Sequence, residues 1–186
     1  TLSKLIISRN FDKEEIFSID NNLSIKNIFA NNKDYKIAMS IVIDCIKKKE
    51  KICIVGDYDV DGSSATSLLV RFLNSINHPN FYYIPDREKD GYGASVKLFK
   101  KLTLKKPKLV IMVDCGSTSN DAIEFLNDNK IKSIVIDHHE INKPYPKSNV
   151  IINPKKNEGY LEYDYFCATA LTYFFIDVEF CHCTNY

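Results

Sequence analysis

Four short apolar runs rich in β-branched or aromatic residues, Ile52–Val55, Phe81–Ile84, Leu109–Val113 and Ser133–Ile136, alternate with helix-like stretches at about Ser63–Leu73, Ser95–Leu102 and Asn120–Asn127. A strand with no polar alternation needs cover on both faces, which is the condition of a parallel sheet. Parallel neighbours in turn require right-handed crossovers, and helices of this length supply them. The pattern therefore predicts an α/β fold: a doubly wound, mainly parallel sheet with helices on both faces. A further amphipathic helix is expected over Tyr35–Lys49, where Ile37, Ala38, Ile41, Val42, Cys45 and Ile46 recur at three-to-four spacing. Its closing lysines complement the helix dipole. A short strand at Asn149–Ile152 sits within the proline-containing loop Asn142–Tyr160, and Phe166–Phe175 reads as a buried helix before an unpatterned tail. Residues 1–34, polar and Asn-rich, read as a helical or irregular segment packed on a single domain occupying 35–186.

Length and composition agree with one globular domain. The chain has 186 residues, enough for one sizeable core but little room for a second. No apolar run approaches the roughly 20 residues that span a bilayer, so no membrane segment is expected. Lys+Arg 25 against Asp+Glu 24 leaves a net charge of +1, so any nucleic-acid binding must use local patches rather than a global basic field. The six cysteines include no CxxC pair, and Cys53 and Cys115 lie in or beside strand-like runs, where buried free thiols are common. With no secretory pattern after Thr1, the setting expected is a reducing cytoplasm. Cys181-His182-Cys183 lacks a second ligand pair and is not read as a zinc site.

The chemistry is concentrated where parallel sheets put their ligand sites, just beyond the carboxyl ends of the strands. Ile52–Val55 is followed by Gly56-Asp57-Tyr58-Asp59-Val60-Asp61-Gly62, Leu109–Val113 by Asp114-Cys115-Gly116, and Ser133–Ile136 by Asp137-His138-His139. Close carboxylates repel one another unless protonated or bridged by a cation, and adjacent histidines add neutral nitrogen donors. So many ligands suggest a pair of divalent ions, the arrangement that activates water and clamps the oxygens of an in-line phosphoryl displacement. Asp57-x-Asp59-x-Asp61-Gly62 also opens like a calcium-hand loop, but Leu68 stands where that loop needs its bidentate Glu, and an apolar run precedes it instead of a helix. A single Asp at a strand end could simply cap a turn; the same placement after three strands argues for a site. His78, in an Asn-His-Pro-Asn turn, and His182, in the tail, are read as surface residues.

Taken together, Gly-Asp-Tyr-Asp-Val-Asp-Gly at 56–62, Val-Asp-Cys-Gly at 113–116 and Asp-His-His at 137–139 resemble, in order and spacing, the first three motifs of the DHH phosphoesterases. Tyr83-Ile84-Pro85-Asp86-Arg87 with Asp90-Gly91-Tyr92-Gly93, and Ile152-Asn153-Pro154-Lys155, resemble the RecJ branch of that family. The resemblance implies metal-dependent phosphodiester hydrolysis by a single-strand-specific 5′-to-3′ DNA exonuclease of repair and recombination. It also implies a single-strand-binding protein and a recombination helicase as partners. Asp59, Asp61, Asp114 and His138 would be direct ligands of two Mn²⁺ or Mg²⁺ ions, with Asp114 the bridge. Asp57 and His139 would lie close to the site, and Asp137 would orient a histidine from behind. Arg87 is a candidate phosphate clamp and Tyr92 a candidate base-stacking surface.

The resemblance is incomplete at its far end. A fourth motif with another Asp ligand is expected after Asn153-Pro154, and Asp177, in an apolar helix-like stretch, is a poor substitute. The family's C-terminal substrate-binding domain and oligonucleotide-binding fold are not found either. These departures predict a fragment that alone hydrolyses DNA poorly. They leave open another phosphodiesterase of the family acting on short oligonucleotides, cyclic dinucleotides or pyrophosphate, and a non-catalytic binding remnant.

Overall fold

A computed structural model describes residues 8, 29, 31–86, 94–156 and 163–183. The order of elements is α1 (Lys33–Lys47), β1 (Ile52–Val55), α2 (Val60–Ser75), β2 (Asn80–Tyr83), α3 (Val96–Leu102) with one following 3₁₀ turn, β3 (Leu109–Val113), α4 (Asn120–Asp128), β4 (Lys132–Ile136), β5 (Val150–Ile152) and α5 (Ala168–Cys183). All strand pairs are parallel, in the order β2-β1-β3-β4-β5. The expected doubly wound sheet is present, and each strand is flanked as its composition demands. Every residue of β1, β3 and β5 is buried.

Alternation along the strands divides two cores. Ile52, Ile54, Ile111 and Ile134 face α1, α2 and α5, whereas Cys53, Val110, Met112 and Val135 face α3 and α4. Each fully buried aliphatic side chain contributes about 1.5–3 kcal/mol, so these two layers dominate the stability that holds the strand ends in register. The first layer is closed by aromatics: Phe29 stacks on Tyr35 with ring centroids 4.6 Å apart, and the Tyr35 hydroxyl donates to the Leu171 carbonyl of α5 at 3.2 Å.

Local chemistry sets the helix boundaries, and four sequence expectations change. The Asn32 side chain accepts from the amides of Asp34 and Tyr35, starting α1 two residues earlier than its periodicity suggests, and Lys49 at φ 52° ends the continuation. Helix α2 begins at Val60 instead of Ser63 because Asp59 caps it, accepting from the Gly62 amide at 2.9 Å. Asp61 is therefore a first-turn helical residue, not a loop residue. Helix α5 runs on to Cys183 rather than stopping at Phe175; its sequence is apolar nearly all round, so no polar face marks its length. His78 is not a surface residue: it is buried, and its Nε2 lies 2.8 Å from the Glu50 carbonyl, linking the turn after α2 to the entrance of β1. The side chain of His182 lies outside the described residues. No helix among the described residues is long and apolar enough to cross a membrane.

Candidate metal centre

The chain adds β2 on one side of β1 and then β3 on the other, so a crevice opens at the carboxyl ends of these two central strands. Asp57 follows β1 there, Asp114 follows β3, and Asp137, His138 and His139 follow β4, the next strand over. The tight β1-to-α2 turn depends on a missing side chain. A Cβ on Gly62 would stand 2.5–2.7 Å from the Asp57 backbone, so only glycine lets the first turn of α2 close over Asp57. Gly116, at φ +109°, makes the corresponding turn after β3.

Asp114 is the focus of the site. It is 1% exposed and neither carboxylate oxygen accepts a hydrogen bond, an arrangement that costs free energy unless a cation or proton compensates. Its backbone sits at φ 59°, in the left-handed region. Burial, then the nearby carboxylates of Asp61 and Asp59, push its pKa up to about 8. His138 Nε2 comes within 3.2 Å of Asp114 Oδ1, and His139 Nδ1 within 3.8 Å. Two groups of candidate ligand atoms, each within 4.8 Å of one another, share this residue: Asp114 with His138 and His139, and Asp57 with Asp59 and Asp114.

The remaining expected residues take distinct places. Asp137 lies behind the histidines, 1% exposed, accepting from the amides of His138, His139 and Ser117 and from His139 Nδ1 at 2.8 Å. Burial acts to raise its pKa, but the hydrogen bonds from His139 and Ser117 outweigh burial and hold it at about 2. The same bond to Asp137, opposed by burial, lifts His139 to about 9. With Nδ1 committed to Asp137, His139 has only Nε2 free for a ligand. Asp61 belongs to neither cluster. Its two oxygens accept from the amides of Ala168 and Thr169 at the start of α5, and Oδ2 lies 3.6 Å from His138 Nε2. Asp57, expected only nearby, offers a carboxylate oxygen to one of the clusters, and its backbone packs closely against Gly62. Arg87 and Tyr92 lie outside the described residues.

Sequence reasoning named Asn153 only as part of a family motif and gave no role to the residues that brace this arrangement. Asn153 is fully buried; its Nδ2 donates to Ser117 Oγ at 2.8 Å and to the His139 carbonyl at 2.9 Å, and its Oδ1 accepts from the Lys155 amide. The three strand ends β3, β4 and β5 are tied together through it. A signal existed, since Asn153 directly follows β5 just as the aspartates follow their strands. Beside the histidines is a cavity of about 410 Å³ lined by Ser95, Ser117, Thr118, Ser119 and Asn120 together with Asp137 and His139.

Carboxylate and imidazole donors around buried, uncompensated oxygens suit hard divalent cations that keep open positions for an oxygen substrate. Comparison with known proteins agrees with that chemistry. Residues 51–184 match the model of the DHH family, N-terminal domain. The chain belongs to the DHH family. Among curated relatives, the single-stranded-DNA-specific exonuclease RecJ of Haemophilus influenzae is 31% identical over 138 residues, covering 73% of this chain and 24% of the relative. The protein of the same name from Bacillus subtilis is 30% identical over 158 residues, covering 83% and 20% respectively. This DHH chain thus spans a quarter or less of the length of those two relatives. A crystal structure of exonuclease RecJ bound to manganese superposes with a TM-score of 0.69 at 26% identity, covering 77% of this chain and 36% of that one.

Proposed function

We propose that this chain supplies a two-metal phosphoesterase centre for single-strand-specific 5′-to-3′ DNA exonuclease activity, in cytoplasmic DNA repair and recombination. The observation that carries the reading is the buried Asp114 carboxylate, which has no hydrogen-bond donor and is shared by two clusters of candidate ligands. Support for the substrate comes from the names of the RecJ relatives, and for the cation from the manganese-bound RecJ structure. Buried thiols at Cys45, Cys53 and Cys115 suit a reducing setting.

The residues present fit Mn²⁺ or Mg²⁺. Asp57, Asp59 and Asp114 would hold one ion and Asp114, His138 and His139 the other, with Asp61 bordering both. When bound, the pair supplies activation of water and stabilisation of charge on the phosphoryl oxygens. The chain's own residues do the rest. Asp137 keeps a proton on His139 Nδ1, which leaves Nε2 as the nitrogen with a lone pair to offer a cation. The hydroxyls and amides lining the adjoining cavity offer neutral donors to a phosphodiester without competing for the cation. Arg87 as phosphate clamp and Tyr92 as stacking surface belong to the same reading, on sequence position alone.

The test is digestion of labelled oligonucleotides with Mn²⁺, by the chain alone, which should release little, and by its longer relatives. Mononucleotides should be released from the 5′ end of single strands, and Asp114→Asn or His138→Ala should abolish release. Equal digestion of duplexes, or unchanged turnover in either variant, would overturn the proposal.

A further inference from the structure

One carboxylate beside the centre is held in an unusual way. Asp61 lies in the first turn of α2, yet its side chain reaches the start of a helix more than a hundred residues further on. Its Oδ2 accepts from the Ala168 amide at 2.7 Å, and its Oδ1 from the Thr169 amide at 2.8 Å. The Thr169 hydroxyl adds a third bond, donating to the Asp61 carbonyl at 3.0 Å, so both the backbone and the side chain of Asp61 are fixed by the same residue. Asp61 thus caps α5 from a distance, where the free amides and the positive end of the helix dipole favour an anion. Oδ2, the oxygen bound by Ala168, is also the one 3.6 Å from His138 Nε2. Without α5 this carboxylate would be free to rotate away from its neighbours Asp59 and Asp114, which repel it.

We infer that the first turn of α5 is a positioning element of the metal centre: the amides of Ala168 and Thr169 and the Thr169 hydroxyl hold Asp61 Oδ2 against His138, at the border of both ligand clusters. The inference rests on the metal-centre reading and deepens it. Neither Ala168 nor Thr169 touches the cation; each acts through Asp61. The free oxygen lone pairs of Asp61 remain available to a ligand, since a carboxylate has about four acceptor sites and the two amides use two. Cation affinity should therefore depend on α5 even though no α5 side chain is a ligand.

Two variants remove these bonds singly. Thr169→Val deletes the hydroxyl while keeping the side chain's shape, and Thr169→Ser restores the hydroxyl. Ala168→Pro deletes one amide at the first helical position, where proline is well tolerated. Mn²⁺ affinity is read from the electron paramagnetic resonance signal of free Mn²⁺, and folding from circular dichroism and thermal melts of the metal-free chain. Thr169→Val and Ala168→Pro should each weaken Mn²⁺ binding about tenfold, the lower end of what partners behind metal ligands contribute, and Thr169→Ser should bind as the wild type does. Their melts should stay close to that of the wild type. Should Ala168→Pro fail to fold, the Val and Ser pair decides. Wild-type Mn²⁺ binding that is lost in Asp114→Asn but undiminished in folded Thr169→Val and Ala168→Pro overturns this inference alone. No binding by the wild type, or undiminished binding by Asp114→Asn, overturns the metal-centre reading and this inference with it.

Discussion

Replacing Asp114 by Asn should stabilise the metal-free protein at alkaline pH while destroying its affinity for metal. The carboxyl is 1% exposed and its pKa is raised from 3.8 to about 8, first by burial and then by Asp61 and Asp59. The sign follows from linkage. Above pH 4 the unfolded chain holds Asp114 ionised, whereas the folded chain keeps it protonated until about pH 8, so the penalty grows as pH rises across that window and is complete above it. At about 1.4 kcal/mol for each pKa unit, the penalty has a ceiling of about 6 kcal/mol. Relaxation and water entry reduce the expected figure to about 2–4 kcal/mol. For a chain of this size that corresponds to a rise of roughly 5–15 °C in the melting temperature of Asp114→Asn over the wild type at pH 8.5, shrinking toward pH 5. Scanning calorimetry in chelator at both pH values measures it. The same scans with Mn²⁺ should stabilise the wild type and leave the variant unmoved. An Asn variant no more stable than the wild type at pH 8.5, or a difference that does not change with pH, would refute the account of Asp114 as an uncompensated buried anion.

Other consequences are equally open to measurement. Gly62→Ala places a methyl group 2.5–2.7 Å from the Asp57 backbone and should cost about 1–3 kcal/mol in urea unfolding, with loss of Mn²⁺ binding. Asn153→Ala leaves the Ser117 hydroxyl, the His139 carbonyl and the Lys155 amide without their partner, a loss of about 1–3 kcal/mol by chemical denaturation. Asp137→Asn should return the His139 pKa from about 9 toward its ordinary 6.5, read by NMR titration of the ring protons. In the wild type, the contribution of this pair from His139 is full below pH 6.5 and fades as pH rises through about 9. The contribution from Asp137 is full above pH 3.8 and is lost as pH falls through about 2.

The layers of the fold were legible because burial on both faces of a strand leaves an unbroken apolar run, and β1 and β3 carry nothing else. The acidic strand ends were legible for a related reason: carboxylates in sequence against such runs have few structural uses. What could not be read was whatever depends on contacts distant in sequence. Asp61 looked equivalent to Asp59, both expected as direct ligands, and only the arrival of α5 separates their surroundings. His78 looked exposed beside a proline because its acceptor, the Glu50 carbonyl, lies 28 residues earlier. The early start of α2 is a local effect that periodicity missed, since Asp59 and Asp61 interrupt the apolar spacing at the place where Asp59 caps the helix.

The left-handed backbone at Asp114 bears on how other members of the family should be compared. Of the twenty residue types, glycine, asparagine and aspartate occupy that conformation at least cost. A homologue that had lost its metal would still be restricted at this position, so an aspartate there is weak testimony to activity when taken alone. Positions 138 and 139, whose backbone angles impose no such restriction, are better witnesses: histidine kept at both would signal retained chemistry, and its replacement would signal loss even where the aspartate persists.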